Sequence, residues 1–144
     1  MSDTKTFLLE IVSPERKVFG GNVEFAVFPG SEGEFGVLPN HAAMLSALAP
    51  GQIKVVRDKK PDYFAASGGF LEVRSNKVTV IVETCEPAAE IDVERAKRAK
   101  ESAAKELVDK KEKSEIELAR QNLKKAEARI KVAAFAAAPD PAKH

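Results

Sequence analysis

The chain has 144 residues, 44% hydrophobic and 31% charged, with a formal net charge of +1. That holds one small core plus an extension, and the balance excludes a protein built on bulk attraction to nucleic acid. One cysteine (Cys85) and two histidines (His41 and His144) exclude an internal disulfide and a Cys/His zinc cluster.

The residues divide into two objects. All eight glycines lie before residue 70, seven of the eight phenylalanines lie before residue 71, and neither Gly nor Pro occurs from 88 to 138. The first part is a β-type body. Its predicted strands are Phe7–Val12, Val23–Phe28, Phe35–Leu38, Ile53–Arg57, Tyr63–Ala66, Phe70–Arg74 and Val78–Glu83. Turn signals separate them: Ser13-Pro14, Gly20-Gly21-Asn22, Pro29-Gly30, Pro39-Asn40, Pro50-Gly51, Lys60-Pro61-Asp62, Ser67-Gly68-Gly69 and Ser75-Asn76. Short strands at this spacing indicate a sandwich or barrel. The segment His41–Leu48 has no breaker and fits a helical turn or a strand.

Pro87 closes the body. Asp92 is the expected N-cap of a first helix running to about Val108, with Glu94 placing an anion in its first turn. Asp109–Lys113 is a charged turn. Ser114-Glu115-Ile116-Glu117 fits the capping-box pattern at the start of a second helix, which runs to about Ala137 before Pro139 and Pro141. In that helix Ile116, Ala119, Leu123, Ala126, Ile130, Ala133 and Ala137 recur at alternating steps of three and four, a heptad seam. The first helix offers Val93, Ala96, Ala99, Ala103 and Leu107. The expected product is an antiparallel hairpin with a thin, Ala-lined seam. About five larger apolar side chains, each contributing roughly 1.5–3 kcal/mol, oppose the ordering of the whole hairpin, so it needs a body surface, ligand or partner. The expected organisation is a sandwich over 1–87, a helical hairpin over 88–138 and a tail over 139–144.

Charge follows the same division. Residues 1–91 carry 9 basic and 12 acidic groups, whereas residues 92–132 carry 13 basic and 9 acidic groups. Glu94/Arg98, Glu101/Lys105, Glu106/Lys110, Asp109/Lys113 and Glu127/Lys131 are acid-before-base pairs at i,i+4, which accounts for much of this as a solvated face. Arg95, Lys125 and Arg129 are not so paired. In a hairpin turning near residue 111, Arg95 lies across from about position 128, beside Arg129 and one turn from Lys125. Three cations then converge near Glu86 and Asp92, where an anion is favoured: a triphosphate, or an acidic patch on a partner. No Walker loop or Gly-x-Ser-x-Gly elbow is present, and nothing selects a nucleophile to pair with His41, so catalysis by this chain alone is not expected.

Three ordered blocks carry a family resemblance. They are Gly30-Ser31-Glu32-Gly33-Glu34-Phe35-Gly36-Val37-Leu38-Pro39-Asn40-His41-Ala42, then Ser67-Gly68-Gly69-Phe70-Leu71-Glu72-Val73, then Ile91-Asp92-x-x-Arg95-Ala96. Together with the opening Glu10-Ile11-Val12-Ser13-Pro14-Glu15, they closely resemble the epsilon subunit of bacterial F-type ATP synthases. The resemblance spans about residues 6–135. It implies an all-β sandwich of about ten strands with a C-terminal two-helix hairpin. It implies a non-catalytic rotor subunit seated against the gamma subunit and the c-ring, with Glu34 and His41 as candidate c-ring contacts. It implies a hairpin that extends into the alpha and beta subunits and blocks ATP hydrolysis. It further implies a regulatory ATP site at Glu86, Ile91, Asp92, Arg95 and Arg129, with no required cofactor. Ser102 stands where strong binders carry arginine, and Lys125 replaces another arginine, keeping charge without the bidentate fork.

No apolar run reaches the length of a membrane span, and Met1-Ser2-Asp3-Thr4-Lys5 is neither a signal peptide nor an Arg/Ser-rich transit segment. These features fit a reducing, cytoplasmic location, and the resemblance implies a peripheral one, on the cytoplasmic face of a bacterial plasma membrane through the complex. The mitochondrial delta subunit shares the fold, but the missing transit segment and the Ile91–Ala96 motif favour a bacterial or plastid-type chain. A free-standing β-sandwich adaptor with a coiled-coil arm, and a small ATP sensor acting alone, are the other readings.

Overall fold

The computed structural model describes residues 5–109 and 112–137. Ten strands come first: β1 (Phe7–Val12), β2 (Lys17–Val23), β3 (Phe25–Gly30), β4 (Gly33–Val37) and β5 (Met44–Leu48). They continue as β6 (Gly51–Arg57), β7 (Lys60–Ala66), β8 (Gly69–Arg74), β9 (Lys77–Val82) and β10 (Cys85–Pro87). A 3₁₀ turn (Ala88–Glu90) leads to helix α1 (Val93–Asp109), followed by α2 (Lys113–Ala137). The hydrogen-bonded order is β10-β7-β6-β3-β5-β8-β9-β1-β2, with β4 paired to β3. β1 and β9 run parallel, while the other paired strands are antiparallel. β2 packs against β6 and β10, so the ends of this path meet over one core.

Period-two alternation builds that core. Phe7, Leu9 and Ile11 of β1, Leu71 and Val73 of β8, and Val78, Val80 and Val82 of β9 are buried, with Phe28, Ile53, Val55 and Phe64 from the other strands. The whole cluster lies between Phe7 and Cys85. No helical residue belongs to it. A fragment of residues 1–87 should therefore unfold cooperatively and give β-type circular dichroism. A molten or insoluble fragment would mean that the helices are part of the core.

Seven expected strands are present, Phe7–Val12 with its ends unchanged and the other six with shifted ends, and three more appear. Gly20-Gly21-Asn22 is not a turn but the middle of β2, paired with Glu10, Leu9 and Leu8. His41–Leu48 resolves into a loop and β5. Cys85–Pro87 is short, and it pairs with Phe64–Ala66 of β7.

In the hairpin Ala96, Ala103, Ala119, Ala126 and Ala133 are buried, as the seam predicts. A second stripe of α2, Lys125, Ala128, Val132 and Phe135, also follows steps of three and four, and it faces β6, β7 and the 3₁₀ turn. Ala128 and Val132 are buried there. Ser114 is not the N-cap: α2 starts at Lys113, and the Ile116 N–H donates to the Glu112 carbonyl at 3.0 Å. Among the described residues the i,i+4 ion pairs do not close. Glu94 instead reaches Lys97 at 3.8 Å and Glu117 reaches Arg120 at 3.3 Å, both at i,i+3. Lys110, the expected partner of Glu106, the tail 139–144 and His144 lie outside the described residues.

Candidate functional site

The Asp92 side chain caps α1. Its Oδ1 accepts the Arg95 N–H at 3.1 Å, while its carbonyl accepts the Ala96 N–H at 3.0 Å. This cap sets Arg95 on the first turn, over the ends of β1 and β10. There a cleft of about 280 Å³ opens between the sandwich and the hairpin. Seven charged side chains line it: Arg16, Arg95 and Arg129, with Glu15, Glu83, Glu86 and Asp92. The antiparallel hairpin does bring Arg95 and Arg129 to one place, beside Glu86 and Asp92.

Arg129 is not an unpaired cation, however. Its Nε donates to Glu86 Oε1 at 2.7 Å, and both side chains are about two-thirds buried, at 31% and 32% exposure. An incoming anion must share or displace Glu86. Four acids against three arginines also leave the cleft without the cationic excess expected of three converging cations. Lys125 lies outside it, lining with Arg129 a neighbouring depression over Ala65, Ala66 and Ser67. Ile91 does not line the cleft either. It sits in the connection where its N–H donates to the Ala88 carbonyl at 3.4 Å.

Cys85 borders the cleft but is buried, and its thiol is pushed up to about 12, chiefly by desolvation. Arg16 pulls it down and, less strongly, Glu86 pushes it up. The native state therefore keeps the proton between the ordinary value of 9.0 and about 12, while the unfolded chain releases it. Stability should fall by about 1.4 kcal/mol per pH unit through that window and be fully present below it. At neutral pH the thiol should stay inert to disulfide reagents until the protein unfolds. Stoichiometric labelling of the native protein would contradict this.

A second contact holds the hairpin. Tyr63 of β7 stacks on Phe135 of α2, with ring centroids 3.8 Å apart and planes 7° from parallel. Its only signal in the sequence was the three-four spacing of Lys125, Ala128, Val132 and Phe135.

Glu34 and His41 sit at opposite ends of β4. Glu34 is exposed beside the Gly30–Gly33 turn, opposite Pro29. His41 lies in the loop after β4, with its ring Nδ1 donating to the Ala42 carbonyl at 2.8 Å. Along the outer face of β5, β8 and β9 runs an apolar stripe: Leu45, Phe70 and Ile81 are 73%, 59% and 57% exposed. Phe70 pairs across strands with both Ala47 and Ile81, while Leu45 pairs with Glu72 and lies diagonal to Phe70. Large exposed apolar patches of this kind are surfaces for partners. Among the described residues no cluster of three potential metal ligands occurs, and no helix is long and apolar enough to cross a membrane.

Comparison with known proteins covers both objects. The model of the β-sandwich domain of ATP synthase delta/epsilon chains matches residues 6–88. The model of their long α-helix domain matches residues 89–134. The ATP synthase epsilon chain of Pelotomaculum thermopropionicum is 50% identical over 110 residues, covering 76% of this chain and 81% of that one. That of Desulfitobacterium hafniense is 44% identical over 128 residues, covering 89% and 96%. Among solved structures, a chain of the Euglena gracilis mitochondrial ATP synthase, in its OSCP/F1/c-ring assembly, superposes with a TM-score of 0.76. It is 24% identical and the match covers 95% of this chain and 84% of that one, a likeness of fold.

Proposed function

The chain belongs to the family of ATP synthase epsilon chains, non-catalytic subunits of the central stalk, and on that premise we propose that it couples the stalk to the c-ring and brakes ATP hydrolysis with its hairpin. The observation that carries the brake is how little holds α2 down. Among the described residues, its buried hold on the sandwich centres on two small side chains (Ala128 and Val132), one aromatic stack and one ion pair. A contact this thin leaves a gap of a few kcal/mol between docked and released hairpin, the size that a ligand or partner can tip. Once released, the basic hairpin fits an acidic surface of the alpha and beta subunits.

Coupling rests on the sandwich. The apolar stripe of Leu45, Phe70 and Ile81 suits the gamma subunit, and the exposed Glu34 suits a polar loop of the c-ring. A chain making these contacts would lie peripherally, on the cytoplasmic face of the membrane. ATP in the Arg95–Arg129 cleft would bridge α1, α2 and β10, and so favour the docked hairpin. Glu86 and Asp92 offer acceptors for the adenine amino group or the ribose.

The test is ATP hydrolysis and synthesis by the parent complex with and without residues 88–144. Hydrolysis should rise several-fold on deletion while synthesis is largely kept. Unchanged hydrolysis would refute the brake and leave the rotor role standing.

A further inference from the structure

We propose that Asn76 is a positioning residue for the docking loop that carries His41. This rests on the reading of His41 as a contact to the rest of the complex. Asn76 stands in the β8–β9 turn, where Ser75 and Asn76 both adopt left-handed backbone, with φ of 50° and 58°. Its carboxamide reaches out of that turn in two directions. Oδ1 accepts the N–H of Asn40 at 2.8 Å, and Nδ2 donates to the Thr6 carbonyl at 3.0 Å. Its own carbonyl accepts the Leu8 N–H at 3.2 Å. One residue thus ties the β8–β9 turn to the start of β1 and to the β4–β5 loop.

That loop has few means of holding itself. Pro39 brings no N–H, and Asn40 sits at φ 64°, a backbone state that costs non-glycine residues energy and persists only when its surroundings fix it. Within the loop, the His41 N–H donates to the Leu38 carbonyl at 3.2 Å. The ring Nδ1 is committed to the Ala42 carbonyl, so in the neutral imidazole Nε2 is left as an acceptor. Among the described residues nothing in the chain pairs with that nitrogen. The ring is therefore oriented by its own loop, and the loop is anchored from outside by Asn76 Oδ1. A partner's donor would meet Nε2 only where Asn76 puts it.

Two substitutions at position 76 separate the two carboxamide bonds. Glycine suits φ 58° and removes both. Aspartate keeps an acceptor for the Asn40 N–H but loses the donor to Thr6. The measurement is ion pumping per ATP hydrolysed by complexes in membrane vesicles, for H41A, N76G, N76D and the double variant H41A/N76G. We expect H41A and N76G to lower the ratio, the double variant to match H41A alone, and N76D to stay near wild type. Thermal melting should show both N76G and N76D weakened, because both lose the bond to Thr6. In the isolated subunit, amide exchange at Asn40 should quicken about tenfold in N76G and not in N76D.

A purely structural role would make coupling follow melting temperature, so N76D falling with N76G overturns the proposal. Impaired H41A with unchanged N76G, or with additive losses in the double variant, overturns the proposal alone. Unchanged Asn40 exchange in N76G does the same without requiring assembly. An unimpaired H41A overturns the docking reading and this proposal together.

Discussion

Gly69→Ala should cost the sandwich about 4 kcal/mol or more, the range reached only by severe packing or backbone conflicts. Gly69 opens β8 directly opposite Val82 of β9. A Cβ there would overlap the Ile81 carbonyl oxygen and stand 2.9 Å from the Val82 Cα. Both obstacles are backbone, so nothing can rotate away, and β8 must shift off β9 along a pairing that carries Leu71, Val73, Val78 and Val80 into the core. Its φ of 156° adds to the conflict. Against a typical total of about 5–15 kcal/mol, such a loss removes from about a quarter to most of the stability.

Two other glycines calibrate the effect. Gly33, at φ 133°, has nothing within 4 Å of its Cβ position, so Gly33→Ala should pay only backbone strain of about 1–3 kcal/mol. In β2, a Cβ on Gly20 meets only the flexible end of Lys17, so Gly20→Ala should be close to neutral. Urea or thermal melts should therefore rank the three with Gly69→Ala far the worst. A Gly69→Ala protein melting within a few degrees of wild type would mean that the β8–β9 register is not fixed here.

The same glycines explain which strands were legible. Val78–Val82 and Phe7–Val12 announce themselves by alternation, because one face is buried and the other is not. β2 does not: Gly20-Gly21-Asn22 carries the composition of a turn, and only pairing with Leu8–Glu10 makes it a strand. β10 is three residues long, below the length at which a period can be read, and β5 exposes Leu45 on what should be its polar face. That exposed leucine hid the strand.

In the hairpin the heptad seam was visible in Ala119, Ala126 and Ala133. The sandwich-facing stripe has the same period, with Lys125 and Ala128 too polar or too small to stand out. Helical geometry alone placed Arg95 beside Arg129. It did not supply Arg16, Glu15 and Glu83, which arrive from strand ends distant in sequence, or the Arg129–Glu86 pair that neutralises the convergence.

That pair decides what to expect of nucleotide binding. Arg129 belongs at once to the cleft and to the hairpin's hold on the sandwich, so ligand and docking are linked through one guanidinium. ATP should bind the isolated subunit with a dissociation constant on the order of 0.1–1 mM, about −4 to −5.5 kcal/mol, because Glu86 competes for Arg129 and Lys125 stands aside. Loss of a charge-assisted hydrogen bond costs roughly 1.5–3 kcal/mol, so Arg129→Ala should weaken binding about ten- to a hundredfold, and Arg95→Ala should abolish it.

Arg129→Ala should also loosen the hairpin, since it leaves Glu86 part-buried without its partner. The Tyr63–Phe135 stack should then report the release as a change in the Tyr63 signal. Restoring arginine at positions 102 and 125 should tighten ATP. Calorimetry or NMR titration decides the matter. If ATP fails to bind the wild type and still fails after both restorations, the cleft is a docking surface for the hairpin, and Arg129 serves only to hold α2 on β10 until the hairpin is drawn away.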